Sequence, residues 1–125
     1  MGMLGNILIK LRLIKEKRIK VQLIHNINFK DGVSIETDAN GSKKWYLNGK
    51  LHREDGPALE YADGDKEWWL NGEFHREGGP AVEYADGSKS WYLNGKLHRE
   101  DGPALEYADG RKSWYFHGQK KRGSF

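Results

Sequence analysis

Three short clusters in this 125-residue chain carry the side-chain types that acid–base or metal chemistry needs. They are His52-Arg53-Glu54-Asp55, His75-Arg76-Glu77 with Gly78 in fourth place, and His98-Arg99-Glu100-Asp101. An imidazole beside carboxylates can form a general acid–base pair or part of a metal site. Two arguments weigh against both. If each cluster belongs to a unit of two strands, equivalent histidines stand ~10 Å apart, too far for two of them to ligate one ion at ~2.1 Å each. A set repeated at fixed spacing also lacks the single concave arrangement that an active site uses. No catalytic residue, metal or cofactor is therefore expected. His52, Arg53, His75, Arg76, His98 and Arg99 are read as structural links between units, with multivalent recognition as the alternative and catalysis as the remotest.

The elements that position the clusters repeat with them. WYLNGKLHREDGPALEYADG runs from Trp91 to Gly110, near-copies begin at Trp45 and Trp68, and a truncated one begins at Trp114, a period of 23 residues. Such a period marks units that bury their apolar faces only by stacking on one another. Asp63-Gly64, Asp86-Gly87 and Asp109-Gly110 lie between strand-like runs and signal hairpins. With two-residue loops, Leu59 would face Trp68 and Glu60 would face Glu67, with Val82 against Trp91 and Leu105 against Trp114. That register puts the tryptophans with Leu70, Leu93 and Phe116 on a buried face. Glu60, Glu83 and Glu106 then share the other face with Tyr46, Trp69, Tyr92 and Tyr115. Asn48-Gly49, Asn71-Gly72 and Asn94-Gly95 form a second turn, and Pro57, Pro80 and Pro103 stand at strand starts, where a missing N–H is tolerated.

The expected class is all-β, an elongated antiparallel stack of β-hairpins. Residues 26–125 form the repeat domain, with a degenerate unit at 26–44, and residues 1–25 form a basic capping segment. In that degenerate unit Asp31-Gly32-Val33-Ser34-Ile35-Glu36 echoes Asp55-Gly56-Pro57-Ala58-Leu59-Glu60 but reaches its turn one residue late, which reads as a bulge or a longer turn. In the capping segment Ile9, Leu11 and Leu13 alternate with Lys10 and Arg12, as do Ile19, Val21 and Leu23 with Lys20 and Gln22. Two strands fit that alternation, and an amphipathic helix with Leu4, Ile7, Leu8, Leu11 and Ile14 on one face fits it as well. The last unit, with Phe116-His117-Gly118 for Leu-Asn-Gly, has the altered form of a terminal cap.

A formal charge of +3 hides a segregation. Residues 1–30 carry seven Lys/Arg against one Glu, residues 31–110 nine against seventeen acids, and residues 111–125 five with no acid. The repeat body is thus acidic (−8) and would repel a polyanion, so nucleic acid is not the expected partner despite a pI near 9. The basic ends could engage a membrane surface or track phosphates. No cysteine is present, which fits a reducing compartment, and the cytoplasm is the expected location. Lys10 and Arg12 interrupt the apolar N-terminus, so neither a signal peptide nor a spanning segment is expected.

The pattern Tyr-Ala-Asp-Gly-x-x-x-Trp-Tyr-x-Asn-Gly-x-x-His at this period resembles MORN repeats. More closely it resembles the WYLNG/HREDGPA-type repeats of uncharacterised phage and bacterial proteins. The likeness covers residues 26 to 125 and departs from MORN units where His-Arg-Glu-Asp-Gly-Pro replaces a Gly-rich link. It implies stacked hairpins in an elongated twisted sheet and a role as a scaffold or interaction surface, and for a phage-type product a role as an inhibitor of a host or defence protein. The function expected on these grounds is non-enzymatic binding of another protein, or of a second copy in a homo-oligomer, through Tyr46, Glu60, Trp69, Glu83, Tyr92, Glu106 and Tyr115. The aromatic members of that set either line a partner groove or pack over the sheet.

Overall fold

A computed structural model describes residues 25–28 and 30–122 of the chain; the expectations for the capping segment before His25 lie outside them. The described chain is all-β. Its strands are β1 (His25–Asn28), β2 (Val33–Thr37), β3 (Lys43–Leu47), β4 (Lys50–Leu51), β5 (Leu59–Glu60), β6 (Lys66–Glu67), β7 (Trp69–Leu70), β8 (Glu73–Phe74), β9 (Val82–Glu83), β10 (Lys89–Ser90), β11 (Tyr92–Leu93), β12 (Lys96–Leu97), β13 (Leu105–Glu106), β14 (Lys112–Phe116) and β15 (Gln119–Lys121). Among the described residues one 3₁₀ turn spans Lys30–Gly32, with Asp31 in the left-handed region at φ 67°. No helix among the described residues is long and apolar enough to cross a membrane.

The strands form a continuous antiparallel ladder in the order β1-β2-β3-β5-β6-β9-β10-β13-β14-β15, with β4 on β3 and with β7-β8 and β11-β12 as separate pairs. Each repeat therefore supplies two hairpins. One belongs to the ladder. The other leaves it after the tryptophan, through a tight Asn-Gly turn. Asn48 and Gly49 have φ of 51° and 83°, and the later copies match them. Two successive residues in that region define the type I′ turn whose twist suits a two-residue hairpin, and Asn with Gly tolerates it at least cost.

The Asp-Gly turns differ from the two-residue expectation. Tyr61 N–H donates to Asp65 O at 2.9 Å and Gly64 N–H to Tyr61 O at 3.0 Å, so the loop is Ala62-Asp63-Gly64, three residues long. Gly64 has φ 104°. This is a type I turn closed by a left-handed glycine, held further by Asp63 Oδ1, which accepts Asp65 N–H at 3.0 Å. The extra loop residue shifts the register by one. Leu59 faces Glu67 and Glu60 faces Lys66, where the shorter loop would set Leu59 against Trp68 and Glu60 against Glu67. A one-residue slip moves a strand's side chains to the opposite face, and the expected composition of the two faces is corrected accordingly.

The degenerate unit also departs from expectation. Its loop has the same length as the others, with Asp38 N–H donating to Ser42 O and Gly41 N–H to Asp38 O. β2 and β3 pair without interruption from Val33↔Leu47 to Thr37↔Lys43. The additional residue is thus one more paired strand position, neither a bulge nor a longer turn.

Burial is thin and periodic. Ala58, Ala81 and Ala104 are fully enclosed, and Leu59 and Val82 nearly so, while no large side chain among the described residues is completely buried. Each alanine lies where the chain enters the ladder: Ala58 N–H donates to Glu67 O at 2.8 Å and its carbonyl accepts Trp45 N–H at 2.8 Å. A side chain larger than methyl would separate those strands. Stability is spread over nearest-neighbour contacts, as in any stacked repeat.

Candidate functional site: two faces of a repeat stack

The links assemble one face. Arg53 Cζ stands 3.9 Å from the centroid of the Trp45 ring, Arg76 Cζ 3.8 Å from that of Trp68, and Arg99 Cζ 3.9 Å from that of Trp91. Each guanidinium also donates through Nη1 to a proline carbonyl and to the ladder glutamate. Arg99, for example, reaches Pro103 O at 3.1 Å and Glu106 Oε2 at 3.0 Å. Glycine makes room for it. A Cβ on Gly56, Gly79 or Gly102 would stand 3.0, 3.0 or 2.9 Å from the neighbouring guanidinium carbon. Stacking on an indole while forking to carboxylate and carbonyl is a role that arginine's planar, weakly hydrated charge suits and lysine's does not.

Glu60, Glu83 and Glu106 are therefore neutralised from within. Besides their arginines, they alternate with lysines along the ladder: Glu60 faces Lys43 and Lys66, Glu83 faces Lys66 and Lys89, and Glu106 faces Lys89 and Lys112. Opposite charges directly across a strand pair stabilise it modestly.

The histidines tie one unit to the next. Nδ1 of His52 accepts Asn71 N–H at 2.9 Å, Nδ1 of His75 accepts Asn94 N–H at 3.0 Å, and Nδ1 of His98 accepts His117 N–H at 2.9 Å. A neutral ring that accepts at Nδ1 carries its proton on Nε2. Those N–H groups point toward Glu54, Glu77 and Glu100 at 3.3, 3.5 and 3.5 Å. His98 differs from the other two in being buried. Its Nε2 lies outside hydrogen-bonding geometry to Glu100 and has no acceptor. Among the described residues no three His, Asp or Glu side chains converge as a metal centre.

The opposite face collects the remaining aromatics. Tyr46, Trp69, Tyr92 and Tyr115 occupy it with Leu59, Val82 and Leu105, so of the expected partner set the aromatics and the ladder glutamates fall on different sides of the sheet. Tyr61, Tyr84 and Tyr107 join the aromatics and are 40%, 46% and 40% exposed. They were missed because the two-residue loop turned them inward. The signal was their place two residues after Leu59, Val82 and Leu105, on the same side of the strand. Tyr84, Ser90, Tyr92, Leu97, Leu105 and Tyr107 wall a shallow groove of about 400 Å³. In the preceding unit larger side chains fill that space. Trp69 stacks on Phe74 with ring centroids 4.1 Å apart, and Phe74 on Tyr92 at 4.8 Å.

Glu67 takes the place that Ser90 and Ser113 hold in later units, between Leu59 and Val82. Burial holds its carboxyl above the usual carboxylate range. The Trp69 indole N–H and the Tyr61 hydroxyl face it and favour its charged form, but the buried Trp69 Nε1 does not reach hydrogen-bonding geometry, so burial dominates. Tyr61 and Tyr84 hydroxyls are raised as well, first by burial and then by the nearby charges of Glu67 and Asp65.

Comparisons of the chain with protein-family models, with curated proteins and with solved structures returned no match.

Proposed function

We propose that this chain is a non-enzymatic repeat module that binds another protein through its tyrosine-bearing face. The observation that carries this reading is the division of labour between the two faces. On one, the link arginines and histidines are engaged with indoles, carboxylates, carbonyls and turn amides of the stack itself. On the other, Tyr61, Tyr84 and Tyr107 remain exposed, and Tyr84 and Tyr107 line a groove. Tyrosine supplies large contact area with few torsions to freeze, which is why it is enriched in interface cores. Asp63 and Asp86 at the adjoining loop tips favour a partner with a basic rim, while Asp109 is paired with Arg111. A cysteine-free composition suits work in the cytoplasm.

The supporting features also weigh against acid–base catalysis at the links. An imidazole whose Nδ1 is committed to a backbone amide has one nitrogen left, and for His98 that nitrogen is buried. The test is recovery of a partner from the native host by the full chain and by two variants. Tyr84→Ala with Tyr107→Ala is expected to lose a partner that Glu77→Ala retains. Equal recovery by the tyrosine variant, with its thermal unfolding unchanged, would remove the tyrosine face as the binding surface.

A further inference from the structure

Within an array of copies, a functional position shows as a departure from the pattern that leaves a group unmet. Asp55 and Asp101 each accept the Nε–H of their own link arginine, Arg53 at 3.0 Å and Arg99 at 3.2 Å. The middle link has Gly78 in that place. No atom lies within 4 Å of where a Cβ on Gly78 would stand. Arg76 keeps its Nη1 bonds to Pro80 O and Glu83, both at 3.0 Å, but its Nε has no partner among the described residues. The side chain is correspondingly more exposed, 30% against 24% for Arg53 and 23% for Arg99.

The vacated space is part of a groove of about 470 Å³ between the second and third links. Trp91 and Leu93 give it an apolar wall. His98 also lines it and is 3% exposed. Its Nε2–H, like Trp69 Nε1 on the other face, is a buried donor that completes no hydrogen bond. The groove thus brings together an open guanidinium edge and an unmet imidazole N–H. Glu77, Glu100 and Asp101 also line the groove, with Asp101 bonded to Arg99 and Glu100 facing His98 Nε2 at 3.5 Å outside hydrogen-bonding geometry, but none of them stands at Arg76 Nε, where the sister links have an aspartate.

We propose that this groove binds a carboxylate, which takes at Arg76 Nε the position that Asp55 and Asp101 occupy in their own links. A carboxylate is the chemistry favoured because the molecule already contains two filled examples of the contact, and because a planar two-oxygen acceptor matches the guanidinium edge. The apolar wall suits the methylenes behind it. This site lies on the face opposite the tyrosines and stands or falls independently of them.

Titration of the ¹⁵N-labelled full chain tests the assignment, with the Arg76 Nε–H and Trp91 indole resonances as reporters. N-acetylaspartate amide represents an acidic side chain, N-acetylglycine a chain end, acetate a free acid, and N-acetylasparagine amide the neutral control. Saturable shifts are expected with the carboxylates and none with the control, with dissociation constants on the order of millimolar for one such contact on an open groove. The tightest of the three carboxylates identifies the source. Arg76→Lys is expected to weaken binding roughly tenfold. Asp55→Gly, which empties the corresponding place at Arg53, is expected to create a second site reported by Trp68, a neighbour of Arg53 in its own groove. Equal shifts with the neutral amide, unchanged affinity in Arg76→Lys, or no new site in Asp55→Gly would each overturn the proposal. Gly78→Asp is the converse arm, expected to fill the notch in cis. Gly78 has φ 87°, a region that neither Asp55 nor Asp101 adopts, so the aspartate reaches the notch only if the link takes up the backbone of its sisters, and the Arg76 and Asp55 variants decide the matter where it does not.

Discussion

His52 and Asn71 are joined across the repeat boundary: imidazole Nδ1 accepts the backbone N–H of the next unit's turn, nineteen residues downstream, at 2.9 Å. The same bond recurs from His75 and His98. A turn of type I′ leaves that amide pointing sideways, and without the histidine it would meet only water. His52→Ala, His75→Ala and His98→Ala are therefore all expected to lower thermal stability. The loss grows with burial, because an amide that water reaches less freely once the imidazole is gone is the more expensive one, up to about 1 to 3 kcal/mol. The side chains of His52 and His75 are 12% and 13% exposed and that of His98 is 2% exposed, so His98→Ala should cost most in chemical denaturation. Equal stability of all three variants and the parent would contradict the tie.

Gly102 has the closest approach of the three link glycines, with its Cβ position 2.9 Å from Arg99 Cζ. Gly102→Ala is expected to push the guanidinium off Trp91 and destabilise the protein by about 1 to 3 kcal/mol. If the damage is displacement of Arg99, then Gly102→Ala should cost far less in an Arg99→Ala background. A double-mutant cycle measures that coupling, and additive losses would show that the glycine is needed for another reason.

The period of 23 residues, the antiparallel hairpins and the Asn-Gly turns were all legible in the sequence. Gly after Asn between alternating runs has few other solutions. Register was not legible. Asp-Gly ends a two-residue loop and equally a three-residue loop with Ala62 in front, and hydrophobic alternation could not arbitrate because both faces carry aromatics: Trp45 and Trp68 on one, Tyr46 and Trp69 on the other. The stacking of Arg53 on Trp45 was out of reach for the same reason. It needs the two residues, eight apart, to meet across the Asn48-Gly49 hairpin on the side where Glu60 also stands. What the sequence did show plainly is where the copies differ. Gly78 stood out there as the missing aspartate of the middle link, whereas the departures at Glu67 and Phe74 gain meaning only once the register sets Glu67 between Leu59 and Val82 and Phe74 against Trp69.

Glu67 gives the protein a pH dependence of its own. Its folded-state value lies above the reference value of 4.5 because burial disfavours the charge. Between those two values the folded state binds more protons than the unfolded state, so stability falls as pH rises through that window. Glu67→Gln should remove this slope and leave the protein more stable at neutral pH. The gain is expected to stay under about 1 kcal/mol, since the group is half exposed and solvent screens it. Urea unfolding at several pH values above 4.5 is the measurement. A variant less stable than the parent at pH 7 would mean that the contacts to Trp69 and Tyr61 outweigh desolvation.

Charge reversal separates the two faces. Glu83 meets Arg76 at 3.0 Å and faces Lys66 and Lys89 across the ladder, so Glu83→Lys would place a cation among three others and break an arginine that also steadies Trp68. It is expected to destabilise by roughly 1 to 3 kcal/mol, more at low salt than at high salt. Tyr84→Ser removes an exposed ring that caps no such network and should stay within about 0.5 kcal/mol of the parent. Loss of partner binding in Glu83→Lys would therefore mix contact with damage to the stack, whereas loss in Tyr84→Ser at unchanged stability would report contact. If Glu83→Lys instead folds as well as the parent, the arginine–indole–carboxylate column is ornament to the stack, and the link face regains its claim as the surface that partners read.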